Sequence, residues 1–243
     1  TDESRKIVIY STQDSSSRTI SLPDKPSYII NLDQMSSMTN KEREPLSEMP
    51  MYGGKHHPDV DQNKEKSDCL AKLGWQYYYQ GDLDAAMRQF NQSWMFDHEN
   101  ASALWGFGVI MGKQALKELP QENLKESIRF LELALNKSPR DDRIMVDLAF
   151  SHTLLGQYLK EKGQDGSADE FSNAARLYEA AAKINPKYPL LYYNLSVLES
   201  CKENYTEAKK NLEKAKKLGL VSDTASVAYS RDLDNKLKII KPK

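Results

Sequence analysis

One spacing pattern occurs at both ends of the chain's helical part, and it limits the fold more than any bulk property does. Leu70, Leu73, Gly74 and Tyr77 are followed by Ala86, Phe90 and Ser93. Tyr192, Leu195, Ser196 and Glu199 are followed by Ala208, Leu212 and Ala215 at the same spacings. Steps of three and four put such residues on one face of an α-helix. A short break, "QGDLD" (80–84), divides the first set, with Gly81 placed to end one helix and Asp82 to cap the next. Gly74 with Ala86, and Ser196 with Ala208, are small enough for two helices to approach closely. The unit is therefore a helix pair of about 34 residues.

The stretch between the two sets carries the same signals with more residues between the helices. Leu104, Phe107, Gly108 and Met111 precede Ser127, Leu131, Ala134 and Pro139. Met145, Leu148, Ala149 and His152 precede Ala174, Tyr178, Ala181 and Pro186. These two units hold about seven and thirteen extra residues, which lengthen the helices around the turn. Breaks at "LPQEN" (119–123), "KGQDGS" (162–167) and "CKENYTE" (201–207) divide the pairs, and "SPRDD" (138–142) and "NPKYP" (185–189) separate them. The resulting units lie at about 67–100, 101–141, 142–188 and 189–222, followed by a single helix over 223–238.

The pattern L-x-x-L-G-x-x-Y followed by A-x-x-x-F-x-x-S resembles the tetratricopeptide repeat, and the likeness covers about 67–220. At the closing proline site the first and fourth repeats depart from it, with His98 and Leu220 instead. The resemblance implies an all-α fold over 67–243: a right-handed α-solenoid of about four helix hairpins, with 223–238 as a C-terminal capping helix. It also implies a concave groove that binds a protein or peptide, without identifying it. A family subset that grips chaperone C-termini uses paired asparagines; only Asn194 would match, with Lys72 and Gly106 at the other sites, so that ligand is not expected. A second resemblance, to bacterial exported or lipid-anchored proteins with these repeats, rests on "PMYGG" (50–54), "GWQYYYQGDLDAAMRQFNQSW" (74–94) and "WGFGV" (105–109). It implies a cell-envelope or periplasmic setting rather than the cytoplasm, with a lipid anchor upstream.

Helical geometry assigns the many aromatics of the first repeat to two faces. Tyr77 falls with Leu70, Leu73 and Gly74, on the packing side. Asp68, Lys72, Trp75 and Tyr79 fall opposite, with Ala71 and Tyr78 at the edge. In the solenoid this second stripe lines the concave face. It continues through Ser102, Gly106, Val109 and Lys113, then Arg143, Asp147, Phe150 and Leu154, then Leu190, Asn194, Val197 and Cys201, with Trp105 and Tyr193 beside it. An exposed apolar strip marks a surface that something covers. The expected partner contacts are Lys72, Trp75, Tyr78, Tyr79, Trp105 and Asn194. The competing expectations are that the strip packs against neighbouring helices, or that the chain's own N-terminal part fills the groove in a structural or self-associating envelope protein.

That N-terminal part, 1–66, reads as an extended arm. "KIVIY" (6–10) and "SYIINL" (27–32) suit short strands, while Pro23, Pro26, Pro45, Pro50 and Pro58 interrupt the rest, and disorder over part of it competes with that reading. The chain starts at Thr1, which leaves room for an export signal removed upstream. A net charge of −1 over 243 residues gives no electrostatic case for nucleic acid. The basic run "EAKKNLEKAKK" (207–217) alternates sign at helical spacing, as a solvated helix face does. No apolar run approaches the ~20 residues of a membrane span, and two cysteines, Cys69 and Cys201, make no disulfide framework. "KHHPDVD" (55–61) gathers His56, His57, Asp59 and Asp61, and a metal-dependent enzyme centred there is the remaining alternative; adjacent histidines without defined ligand spacing fit a polar turn better. His98 and His152 fit structural positions. No Ser/His/Asp, Cys/His or paired-carboxylate constellation can be placed by motif, and the expected protein is a non-catalytic scaffold without a cofactor or metal.

Overall fold

The computed structural model describes residues 60–118, 121–221 and 224–240. Every element among them is an α-helix: α1 (Val60–Tyr79), α2 (Leu83–Phe96), α3 (Ala101–Glu118), α4 (Gln121–Lys137), α5 (Asp142–Lys162), α6 (Ser167–Ile184), α7 (Pro189–Cys201), α8 (Tyr205–Lys217) and α9 (Thr224–Ile240). The suggested strands, and His56 and His57, lie outside the described residues. The chain divides into two compact units, with the boundary inside α3 between Gly106 and Phe107.

The breaks act through the residues the sequence offered. At the end of α1, Gly81 has φ +84°, its N–H donates to Tyr78 O at 3.0 Å, and the Asp82 N–H donates to Tyr77 O at 3.0 Å. Those bonds satisfy the last carbonyls of the helix, and a left-handed residue is needed to aim them. The Asp82 carboxylate then accepts from the Ala85 N–H at 2.9 Å and starts α2. Asp141 caps α5 in the same manner, and Pro189 opens α7 at its first turn. α1 begins at Val60, earlier than the apolar periodicity indicates. Gln62 and Lys64–Lys66 are exposed or nearly so, so this first stretch has no apolar face to read.

In the first unit α1 packs against α2. Phe90 of α2 is fully buried, and a Cβ built on Gly74 would lie 2.6 Å from its ring. Ser93 donates to Ser67 O at 2.8 Å, so the buried hydroxyl is satisfied between helices. In the second unit α5 packs on α4, α6 and α7, α7 on α8, and α8 on α9. The same device recurs: Ser127 donates to Gly108 O at 2.8 Å, and Ser196 to Ala208 O at 2.7 Å. A Cβ on Gly108 would come within 2.5 Å of Leu131.

The main core of this unit runs through Tyr178, Leu191, Leu198, Leu212 and Leu233. The lengthened helices build a separate cluster from Ala115, Leu124, Leu154, Leu155 and Leu159, with Phe150 and Tyr158 against it. α9 docks by Leu233 and by Tyr229, whose hydroxyl lies 3.0 Å from Ser196 Oγ.

Candidate functional site

The first unit holds a continuous aromatic cluster at the end of α1. Trp75 is its hub. Its ring centroid is 4.4 Å from that of Trp105, 5.3 Å from Phe90, 5.4 Å from Tyr78 and 6.0 Å from Tyr79. Its Nε1–H donates to Ser102 Oγ at 2.9 Å. Tyr78 and Tyr79 meet edge to face at 5.6 Å. Edge-to-face and tilted pairs of this kind suit the charge distribution of aromatic rings.

Two glycines bring the helices close enough for this. A Cβ on Gly74 of α1 would stand 2.6 Å from Phe90 Cε1, and one on Gly106 of α3 would stand 2.4 Å from Phe90 Cε2 and Cζ. Phe90 therefore sits pinched between two bare stretches of helix backbone. Trp75, one residue after Gly74, is drawn in beside Trp105, one residue before Gly106.

This geometry separates residues that helical arithmetic put together. Trp75 is half-buried and touches Phe90, a core ring of the hairpin, so it does not stand clear of that core. Gly106 faces Phe90 instead of lining a groove, and Ser102 is engaged by Trp75. Tyr79, by contrast, keeps 58 % of its surface exposed, and Lys72 is exposed on the same helix. Tyr78 and Trp105 are half-buried. Trp94 is buried against the His98 ring at 3.9 Å, a packing role.

In the second unit Asn194 is buried, with 5 % exposed, and offers almost no surface. Val109, Phe150 and Val197 are half-buried, Leu154 is buried, and Phe150 and Val197 lean on the two hydrophobic clusters. Helix periodicity reports the face a side chain starts from. It does not report how far a neighbouring helix reaches round to cover it.

The second unit also has an open cleft of about 500 Å³ that the motif reading did not anticipate. Leu135, Leu148 and Leu177 line it with Glu132, Asn136, Asn173, Arg176 and His152. His152 Nδ1 lies 2.6 Å from Glu170 Oε2, which occupies that ring nitrogen in a contact between α5 and α6. Among the described residues no three His, Cys, Asp or Glu side chains gather as metal ligands. The cluster offers aromatic faces and the phenolic hydroxyls of Tyr78 and Tyr79, and Lys72 is exposed on the same helix.

No family model matches the chain, and no curated protein matches it by sequence. Solved structures do. A tetratricopeptide-repeat protein of Thermus thermophilus, TTC0263, matches with a TM-score of 0.58 at 17% identity, over 70% of this chain and 82% of that one. MamA from Desulfovibrio magneticus matches over 72% of this chain and 91% of that one, with a TM-score of 0.46 at 12% identity, too loose to add weight. With the repeat motif carried by helix hairpins, and with the first of these likenesses, the chain has the tetratricopeptide-repeat fold.

Proposed function

We propose that this chain is a non-catalytic interaction module that captures a protein or peptide through the aromatic end of α1. The observation that carries the proposal is the contrast within the cluster. Trp75 and Trp105 are anchored by rings and a hydrogen bond, while Tyr79 stands 58 % exposed on top of them with Lys72 nearby in sequence on the same helix. A rigid aromatic base under an exposed aromatic gives large contact area at little cost in side-chain entropy, and such residues dominate interface energetics. Tyr79, Tyr78 and Trp105 would supply area and Lys72 would fix an anionic group. Trp75 would hold the platform in shape. Asn194, buried as it is, has no part in this reading.

The test uses Tyr79→Ser with Lys72→Ser, both at exposed positions outside the buried core, where Tyr79 loses only its ring contacts with Trp75 and Tyr78. The immobilised chain is challenged with native extract beside wild type, and melting is measured in parallel. The expected result is loss of specifically retained protein at an unchanged melting temperature. Identical retention by a variant that melts with wild type would sink the assignment. Trp75→Ala is a poor probe, because it removes packing on Phe90 and Trp105 as well as any contact.

A further inference from the structure

We propose that the cleft between α4 and α6 is a second binding site, which takes a short extended peptide segment with an apolar side chain set between a basic and an acidic one. It is built from other helices than the aromatic end of α1 and does not depend on that reading.

Three observations lead to it. The first is the shape of the cleft. α5 packs against both α4 and α6 and forms the floor, while those two helices form the walls. Each of the three contributes one leucine, Leu135, Leu148 or Leu177. Leu148 is buried, and Leu135 and Leu177 are half-buried against the main core of the unit, so the apolar patch has a packed backing. A volume of about 500 Å³ lies in the range of sites that hold specific ligands.

The second observation is unused hydrogen-bonding capacity. Asn136 and Asn173 stand on opposite walls. Among the described residues the Asn136 amide makes no hydrogen bond, and Asn173 is engaged only at Oδ1, which accepts from Arg176 Nη2. His152, on the floor, is 8 % exposed, and its Nδ1 meets Glu170 Oε2 of α6 at 2.6 Å. The carboxylate accepts there, so Nδ1 donates and Nε2 keeps a lone pair with no partner among the described residues. A buried acceptor lining an open cleft is satisfied by a donor that enters the cleft. An extended chain fits all of these groups. Its N–H and C=O groups project sideways, towards the two Asn amides and the α6 side where Glu170 holds His152. Its side chains project up and down, and a downward apolar one meets the three leucines. A helical ligand would already have used its own N–H groups.

The third observation is charge. Glu132 stands on the α4 wall and Arg176 on the α6 wall, both are exposed, and among the described residues neither belongs to an ion pair. A ligand with a cation on one side and an anion on the other complements both, whereas a uniformly charged one is repelled at one wall.

The test uses the full chain, isotope-labelled for amide NMR, and four end-blocked peptides. Two are mixed, Lys-Ala-Leu-Ala-Glu and Glu-Ala-Leu-Ala-Lys; the others carry lysine at both ends or glutamate at both ends. At least one mixed peptide should bind saturably with Kd below about 1 mM and shift the side-chain amide signals of Asn136 and Asn173. Glu132→Lys should turn the preference towards the doubly acidic peptide and Arg176→Glu towards the doubly basic one, each by about three- to fivefold, as exposed charge pairs do. Both positions are exposed, and an otherwise unchanged spectrum confirms that each variant folds. The proposal is overturned if no peptide binds saturably, if the shifts fall on α1 alone, or if neither substitution moves the preference. It is equally overturned if N-acetyl-leucine amide binds as tightly as the best peptide, which would make the cleft a small-molecule site. Capture by the α1 cluster is read by different variants, so either result stands when the other fails.

Discussion

Gly106→Ala is the sharpest probe of how the aromatic cluster is built. On an ordinary helix the change is favourable, since alanine exceeds glycine in helix propensity by about 1 kcal/mol. Here the new methyl would lie 2.4 Å from Phe90 Cε2 and Cζ, where aliphatic and aromatic carbons prefer about 3.5–4.0 Å. Something must move by over an ångström. Phe90 has no open side to move into, being fully buried and facing Gly74, whose own Cβ position is 2.6 Å from the opposite ring edge. Overpacking a filled site costs about 1–3 kcal/mol, and a ring held from both sides belongs near the upper end. Subtracting the propensity gain leaves a net loss of about 2 kcal/mol, or close to thirtyfold in the folding equilibrium. Urea unfolding followed by tryptophan fluorescence reads the affected region directly, because Trp75 and Trp105 belong to the cluster. Phe90→Ala, which costs about 3–5 kcal/mol on its own, empties the site and supplies the internal control. In that background Gly106→Ala should stabilise by about 1 kcal/mol, so the substitution changes sign with its neighbour. If it stabilises in the wild-type background too, Phe90 is not pinched between α1 and α3, and the account of why Trp75 is drawn inward fails with it.

Three further predictions concern Asp141, Tyr178 and the two cysteines. Burial acts to raise the Asp141 carboxyl, but the Arg143 guanidinium and the Arg143 and Ile144 N–H groups outweigh it and hold it below the ordinary carboxylate value. A folded value below the unfolded one means that the contribution is complete above about pH 4 and is lost as pH falls through the folded value, so Asp141→Ala should lower stability by about 1 kcal/mol at pH 7 and by progressively less under acid, as read by urea midpoints at each pH. The Tyr178 hydroxyl is buried without a hydrogen bond of normal geometry among the described residues, and burial pushes it well above the ordinary tyrosine range; Tyr178→Phe should leave thermal stability unchanged or raise it by up to about 1 kcal/mol, and a larger loss would reveal a bond to Thr153, whose own hydroxyl donates to Ala149 O. Burial pushes the thiol of the half-buried Cys201 up to about 12, whereas Cys69 is exposed, so iodoacetamide at pH 8 should modify Cys69 at least about tenfold faster than Cys201 in the folded chain and at a similar rate after denaturation, which peptide mass mapping would show.

The parts of this fold that are legible from sequence are those where a local requirement selects a residue type. Gly81 and Gly163 must take positive φ after a helix, and Asp82 and Asp141 must offer an oxygen to free N–H groups, so each break carries its own signature. The start of α1 carries none, because a stretch as exposed as Lys64–Lys66 imposes no apolar face. The candidate site divides in the same way. The exposure of Tyr79, 58 %, agrees with the face its own helix gives it. Trp75 and Asn194 share its stripe, yet one is half-buried and the other buried, since their environment is set by other helices. What determines the difference at Trp75 is the absence of a side chain at Gly106, a residue distant in sequence whose effect is to let α3 approach Phe90. On a single helix Gly106 looks like a gap in a groove; across two helices it is the contact that converts Trp75 from a ligand-facing ring into the base on which Tyr79 stands. The binding reading therefore depends on Tyr79 and Lys72, the two exposed members of the set, and substitutions at Trp75 report on the platform before they report on any partner.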